Sequence, residues 1–147
     1  ATIDVLGPPG DRILLEGVND RSVVLGIRHG EVSFLLTGDI EAGSEEELLE
    51  RARDALRADV LVVPHHSSST SSTQEFIAAV QPRWAVLPVG YRNRFGHPKQ
   101  AVVARYRASG AHMLRTDSAG AVLVRLEGEG VSVQPYRGLR RRYWYAE

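Results

Sequence analysis

The chain contains no cysteine, which excludes disulfides and thiolate-held zinc but leaves the cellular compartment open. It carries no net charge either, because 18 basic residues balance 18 acidic ones. No overall field draws it to nucleic acid or to an anionic membrane, so any such contact must use a local patch. Lysine is nearly missing: Lys99 stands against seventeen arginines, a bias that genome base composition explains as readily as function. No apolar run approaches the roughly 18 residues of a membrane-spanning helix, and the reading of the first residues as a strand carries the expectation of no signal peptide there. Internal repeats and low-complexity segments are absent as well. The abrupt, strand-like opening ATIDVLG gives the expectation of a piece cut from something longer.

What is there suits one domain with a real core: 147 residues, 43% hydrophobic and 24% charged. Residues 2–6 read as a strand and 7–11 (GPPGD) as a loop. Residues 12–17 are apolar but ambiguous, and 19–21 (NDR) make a turn. SVVLGI (22–27) and VSFLLT (32–37) are β-rich runs around His29-Gly30-Glu31, which predicts an antiparallel hairpin. SEEELLERARDAL (44–56) reads as a helix. Ser44 is its N-cap, Glu47 completes a capping box, and Leu48, Leu49, Ala52 and Leu56 form its apolar stripe. A second helix over 72–80, capped by Ser71 or Ser72, stops at Pro82. WAVLPV (84–89) reads as a strand, 90–99 as a polar loop and 100–108 as a third helix ended by Gly110. Residues 111–115, 121–126 and 131–135 read as closing strands, the last two joined by a turn at 128–130 (GEG). This places a domain over 1–135 and a basic, aromatic tail over 136–147.

The order of elements predicts an α/β fold with a mixed sheet and flanking helices. Its centre is VLVVPHHSSST (60–70). Four apolar residues read as a strand buried on both faces, and Pro64 ends it because proline has no N–H for a sheet ladder. His65 and His66 follow at the carboxyl end, where open α/β sheets place their chemistry. If the central strands run parallel, Gly38-Asp39, His65-His66 and the loop 93–97 share one edge.

Each candidate also has a plainer reading. Asp39 can ligate a metal, or it can merely begin the turn into the first helix. Successive side chains of an extended chain point to opposite faces. His65 and His66 therefore share a site only if the chain bends after Pro64, one holding metal and the other orienting it or touching substrate. Ser67, Ser68 and the hydroxyls up to Ser72 can donate to a phosphate, or they can form a solvated loop that caps a helix. In the third loop His97 can be a ligand or proton donor, Asn93 an orienting amide, and Arg92 or Arg94 a phosphate clamp. His29 and His112 stand alone and read as structural. The tail sets Arg137, Arg140, Arg141 and Arg142 among Tyr136, Tyr143, Trp144 and Tyr145. That make-up suits a single-strand nucleic-acid binder or an ordinary free terminus.

Five stretches occur in a family's order: NDRSVVL (19–25), LLTGDIE (35–41), DVLVVPHHSS (59–68), VGYRNRFGHP (89–98) and RTDSAGA (115–121). Together they make the chain, from about residue 19 to 124, resemble the C-terminal metallo-β-lactamase-like domain of the ComEC family of DNA-internalisation proteins. The resemblance implies the later half of an αββα sandwich with two divalent ions, zinc or manganese, at the sheet edges. It implies Asp39 and His65 as metal ligands, with Asn93, Gly96 and His97 as further site residues. The reaction it implies is metal-dependent hydrolysis of incoming DNA, with His66, Asn93 or His97 touching or protonating the substrate. Two departures stand out. No His-x-His-x-Asp-His run occurs, so half of the family's ligands are missing, and Ser67 takes the place of a glycine in the family's His-His-Gly-Ser. The expectation is therefore weak or no metal binding by this chain alone.

The expected partners are DNA, the upstream half of the same domain, a membrane-channel portion of the parent protein, and a second copy docked on a bare apolar face. The expected place is the extracytoplasmic side of a bacterial inner membrane. The rival expectations are a non-catalytic DNA-binding module of the uptake channel and a same-fold hydrolase of small phosphoesters.

Overall fold

Short aliphatic runs, none able to stand alone, pair into one six-stranded sheet in the computed structural model, which describes residues 1–10, 17–127 and 130–139. The strands are β1 (Thr2–Gly7), β2 (Val24–His29), β3 (Val32–Leu36), β4 (Val60–Val62), β5 (Trp84–Leu87) and β6 (His112–Arg115), in that spatial order. The first three are antiparallel, and β3 to β6 run parallel. The predicted hairpin is β2–β3, turning at Gly30 with a left-handed φ of 59°. Parallel neighbours need crossovers, and α1 (Ala42–Ala52), α2 (Gln74–Val80) and α3 (Gln100–Ala108) supply them.

All three helices cover one face. Leu48, Phe76, Val80, Val102 and Tyr106 pack there against Leu35, Leu61, Ala85 and Leu87. The alternate residues Val60, Val62, Trp84 and Val86 point the other way, as the strand period of two requires. They meet a second hairpin, β7 (Val122–Glu127) and β8 (Gly130–Pro135), through Val122, Val124, Val131 and Val133. The strand 60–62 is thus buried on both faces, and the chain is α/β with a mixed sheet and flanking helices. The hairpin does not reach β1, where Ile3 and Val5 are 64% and 68% exposed.

Two helix starts differ from the sequence reading. α1 begins at Ala42 without a side-chain cap. Ser44 Oγ donates instead to Asp20 Oδ1 at 2.8 Å, and the same oxygen accepts the Glu41 N–H at 2.9 Å. The cap comes from the 19–21 turn, far away in sequence. The helix also ends at Ala52 and passes into a 3₁₀ turn, Arg53–Ala55. α2 begins at Gln74, with Thr73 Oγ1 accepting from the Phe76 N–H, because Ser71 and Ser72 are buried and bonded elsewhere. After β6 come two short helical turns, α4 (Thr116–Ala119) and α5 (Tyr136–Leu139). Of the expectations for 12–17, the 128–130 turn and the tail, residues 12–16, 128–129 and 140–147 lie outside the described residues. Among the described residues, no helix is long and apolar enough to cross a membrane.

Candidate functional site

Because β3, β4 and β5 are parallel, their three following loops do meet at one edge of the sheet. A cleft of about 410 Å³ opens there, lined by Asp39, His65, His66, Pro88, Val89, Gly90, Asn93, Phe95 and His97. That size falls within the range of ligand clefts. Larger hollows lie between α2 and α3 and beside α5, but neither gathers an imidazole with a carboxylate.

The bend required after Pro64 is present. His65, His66 and Ser67 have φ of 48°, 52° and 66°, three left-handed residues in a row. Each such residue costs about 1–2 kcal/mol when it is not glycine, so the turn must be held by its surroundings. The His65 N–H donates to the Gly38 carbonyl at 3.1 Å, the Ser68 N–H to the His65 carbonyl at 2.8 Å, and the Lys99 N–H to the Ser67 carbonyl at 3.0 Å. Gly38 is itself left-handed, and a Cβ there would come within 2.7 Å of Ser22 Cβ, so glycine is required before Asp39.

The two imidazoles are fixed differently. His66 Nδ1 lies 2.8 Å from the Pro88 carbonyl oxygen. A carbonyl only accepts, so Nδ1 carries the proton and a neutral His66 keeps its lone pair on Nε2. That nitrogen faces Asp39 Oδ1 at 3.5 Å. Two acceptors that face each other leave room for a shared proton or cation between them. The gap is wide for a charged hydrogen bond and close to the roughly 3.4 Å between two donors on one tetrahedral zinc. His65 Nδ1 instead lies 3.2 Å from both Glu41 Oε1 and Thr70 Oγ1. Its proton has an acceptor on that side, which makes Nε2 its open nitrogen. Among the described residues, no group of three or more such donors is arranged to hold an ion.

His97 lies edge-on to His65, their ring centroids 6.4 Å apart. Burial, reinforced by the Lys99 ammonium and the His65 and His66 imidazoles, holds it below the ordinary imidazole range. Asn93 uses its amide within its own loop. Its Nδ2 donates to the His97 carbonyl at 2.8 Å and the Gly90 carbonyl at 3.2 Å, and its Oδ1 accepts the His97 N–H at 2.9 Å. Asn93 therefore shapes the loop that presents His97. Arg92 and Arg94 stack on the neighbouring Tyr91 and Phe95 rings, beside the cleft lining.

Ser67 and Ser68 are not exposed donors. Both are buried and absent from the cleft lining, and Ser68 Oγ pairs with Thr70 Oγ1 at 3.2 Å. Ser67 Oγ is buried with no hydrogen-bond partner. The hydroxyl run instead seals a polar seam beneath the site. Buried Glu45 accepts the Ser72 and Thr73 N–H groups at 2.5 and 2.8 Å. Arg105 reaches the Ser71 and Ser72 carbonyls, and the Tyr106 hydroxyl donates to Ser72 Oγ. Burial raises the Glu45 carboxyl above its usual range despite these bonds, and pushes the Tyr106 phenol far above its own.

Sequence reading missed Glu41, Phe95, Pro88 and Glu45. Glu45 resembled an ordinary acidic residue in a first helical turn, and nothing in the sequence links it to Ser72. Phe95 had a signal, being an aromatic between polar residues next to a candidate histidine.

No protein-family model matches the chain. It is 41% identical over 126 residues to the Competence protein ComA of Neisseria gonorrhoeae, covering 86% of this chain and 18% of that one. It is 38% identical over 107 residues to the ComE operon protein 3 of Bacillus subtilis, covering 73% and 14%. Recombination protein 2 of Haemophilus influenzae is 32% identical over 128 residues, covering 87% and 16%. These relatives support the ComEC family. The chain spans less than a fifth of the length of the curated relatives it matches.

Proposed function

We propose that the chain is the later half of a metallo-β-lactamase-like αββα domain that hydrolyses phosphodiester bonds in incoming DNA during competence. The observation that carries this reading is the Nε2 lone pair of His66 facing the Asp39 carboxylate across 3.5 Å. This exchanges the two histidines relative to the sequence expectation. Asp39 and His66 would hold an ion, and His65, oriented by Glu41, would be the second imidazole of the cleft. Zinc or manganese, when bound, supplies Lewis acidity at neutral pH. The Pro88 carbonyl fixes the His66 ring, and Asn93 fixes the His97 loop. His97, held neutral near pH 7, can take up a proton on a ring nitrogen beside the reacting phosphate.

Two donors are an incomplete set. The remaining ligands would come from the upstream half of the domain, carried on a sheet that covers the bare face around Ile3 and Val5. The parent protein would hold this domain on the extracytoplasmic side of the inner membrane, next to its channel portion. The same incompleteness favours a second reading, a non-catalytic module that only guides DNA.

Metal-dependent DNA hydrolysis by the full-length protein, compared with its Asp39→Ala and His66→Ala variants, tests this. The expected loss is at least about 100-fold in each. Unchanged activity in either variant overturns the assignment, and absence of hydrolysis by the wild type selects the guiding module. Tight binding of two zinc ions by the 147-residue chain alone, measured by calorimetry, would contradict the half-site.

A further inference from the structure

Beside the cleft, the loop 90–97 carries two rings that the fold does not use. Tyr91 and Phe95 are 68% and 62% exposed. Each lies under a guanidinium, with Arg92 at 5.2 Å from the Tyr91 centroid and Arg94 at 5.1 Å from that of Phe95. Phe95 also lines the cleft and tilts toward His97, their centroids 6.0 Å apart.

The loop does not collapse to hide these rings because it is braced from inside. Asn93 clasps Gly90 and His97, and Lys99 Nζ donates to the Phe95 carbonyl at 2.9 Å. A braced loop that presents flat apolar faces has already met much of the ordering cost of binding. A ring stacked with a guanidinium offers a flat surface and a positive charge together. A nucleobase and its flanking phosphate need both.

We propose that Tyr91 and Phe95 form a base-stacking platform at the cleft mouth, selecting polynucleotides whose bases are unpaired. The proposal rests on the reading that this cleft takes DNA, and it names the strand state that enters. A duplex hides its base faces inside the stack and exposes only phosphates to Arg92 and Arg94. A single strand can lay one base on Phe95 and leave the adjoining phosphate in the cleft beside Asp39 and His66. A membrane surface fits less well, since two rings among polar neighbours do not make a continuous apolar face.

The test is binding by the full-length protein in the presence of a chelator, so that hydrolysis plays no part. Labelled oligothymidine, the same length of abasic strand and a duplex serve as probes in fluorescence anisotropy. Oligothymidine is expected to bind at least about 5-fold tighter than the abasic strand, and the double variant Tyr91→Ala/Phe95→Ala to lose at least about 10-fold on oligothymidine alone. Tyr91→Phe is expected to retain wild-type affinity. Equal affinity of the wild type for the abasic strand overturns the platform without recourse to any variant. So does an equal loss on single strand and duplex, or a variant that loses binding to anionic vesicles instead of oligonucleotide. Hydrolysis of duplex and single strand at equal rates would leave the proposed reaction standing and remove only the platform.

Discussion

Between Pro64 and Thr73 the chain passes from an open cleft into a sealed seam, and the two halves treat polar atoms in opposite ways. In the cleft, His66 Nε2 and Asp39 Oδ1 face each other with side chains half exposed. In the seam, Glu45, Ser72 and Tyr106 are buried and each has a hydrogen-bond partner. Ser67, at the border, is buried with no protein partner for its hydroxyl. The comparison shows where the turn gets its support. Three consecutive left-handed residues persist only when their surroundings over-determine them; here Gly38 and Lys99 hold the turn by its backbone, and the seam joins it through Ser71, whose hydroxyl donates to the Pro64 carbonyl at 3.1 Å. The open pair in the cleft thus stands beside a seam whose named polar groups are each bonded.

The largest effect that separates the halves is on activity. If the cleft alone carries chemistry, His66→Ala in the full-length protein abolishes metal-dependent hydrolysis. His65→Ala is expected to lose less, about 10–100-fold, as a residue next to the ion rather than on it. Neither should move the melting temperature much, since both rings reach the cleft. The reverse order of the two losses would return the ligand role to His65.

Next comes the seam. Glu45→Ala leaves the Ser72 and Thr73 N–H groups without their acceptor and removes the carboxylate near Arg105. The cost is expected to be on the order of 3 kcal/mol, read as a lowered denaturation midpoint in urea. Such a variant should also lose hydrolysis, since the His65–Ser67 turn loses its footing. A stable Glu45→Ala protein with full activity would show that the cleft stands without the seam.

The sequence carried the cleft better than the seam, for physical reasons. Alternating apolar runs and a central glycine are local signals, so the β2–β3 hairpin and the parallel strands were legible. The convergence of Asp39, His65, His66, Asn93 and His97 followed from topology alone. What failed depended on contacts remote in sequence. Asp20, rather than Ser44, supports the start of α1 from more than 20 positions away. Hydroxyl composition does not reveal burial, so Ser67 and Ser68 read equally as phosphate donors or as a solvated loop, and they are packed inside. The division of labour between His65 and His66 needs three backbone angles and a proline carbonyl, none of them written in local pattern.

At the border a gain is expected. Ser67 has φ of 66° and an unpartnered buried hydroxyl, and both penalties vanish in Ser67→Gly. Relief of the left-handed strain and of the stranded hydroxyl outweighs the added freedom of glycine in the unfolded chain. The net stabilisation is expected to be about 1–2 kcal/mol. Ser67→Ala keeps the strain and removes only the hydroxyl, so it should gain less. If neither variant is more stable in urea, the border residue has a partner the seam does not show.

The smallest effect is a pH dependence confined to the seam. Burial raises the Glu45 carboxyl in the folded state, so over a window above the ordinary carboxylate range the folded chain holds a proton that the unfolded chain has released. Its contribution to stability is fully present below that range and is lost as pH rises through the raised folded value. Glu45→Gln cannot ionise and lacks this term. Stability of the wild type minus that of Glu45→Gln should therefore fall as pH rises across the window and level off above it, in paired urea melts. A difference that stays flat means the N–H groups of Ser72 and Thr73 fully offset burial, and one that rises means they more than offset it. Either outcome would make the seam a charged anchor from the start, and the contrast with the open cleft would then rest on hydrogen bonding alone.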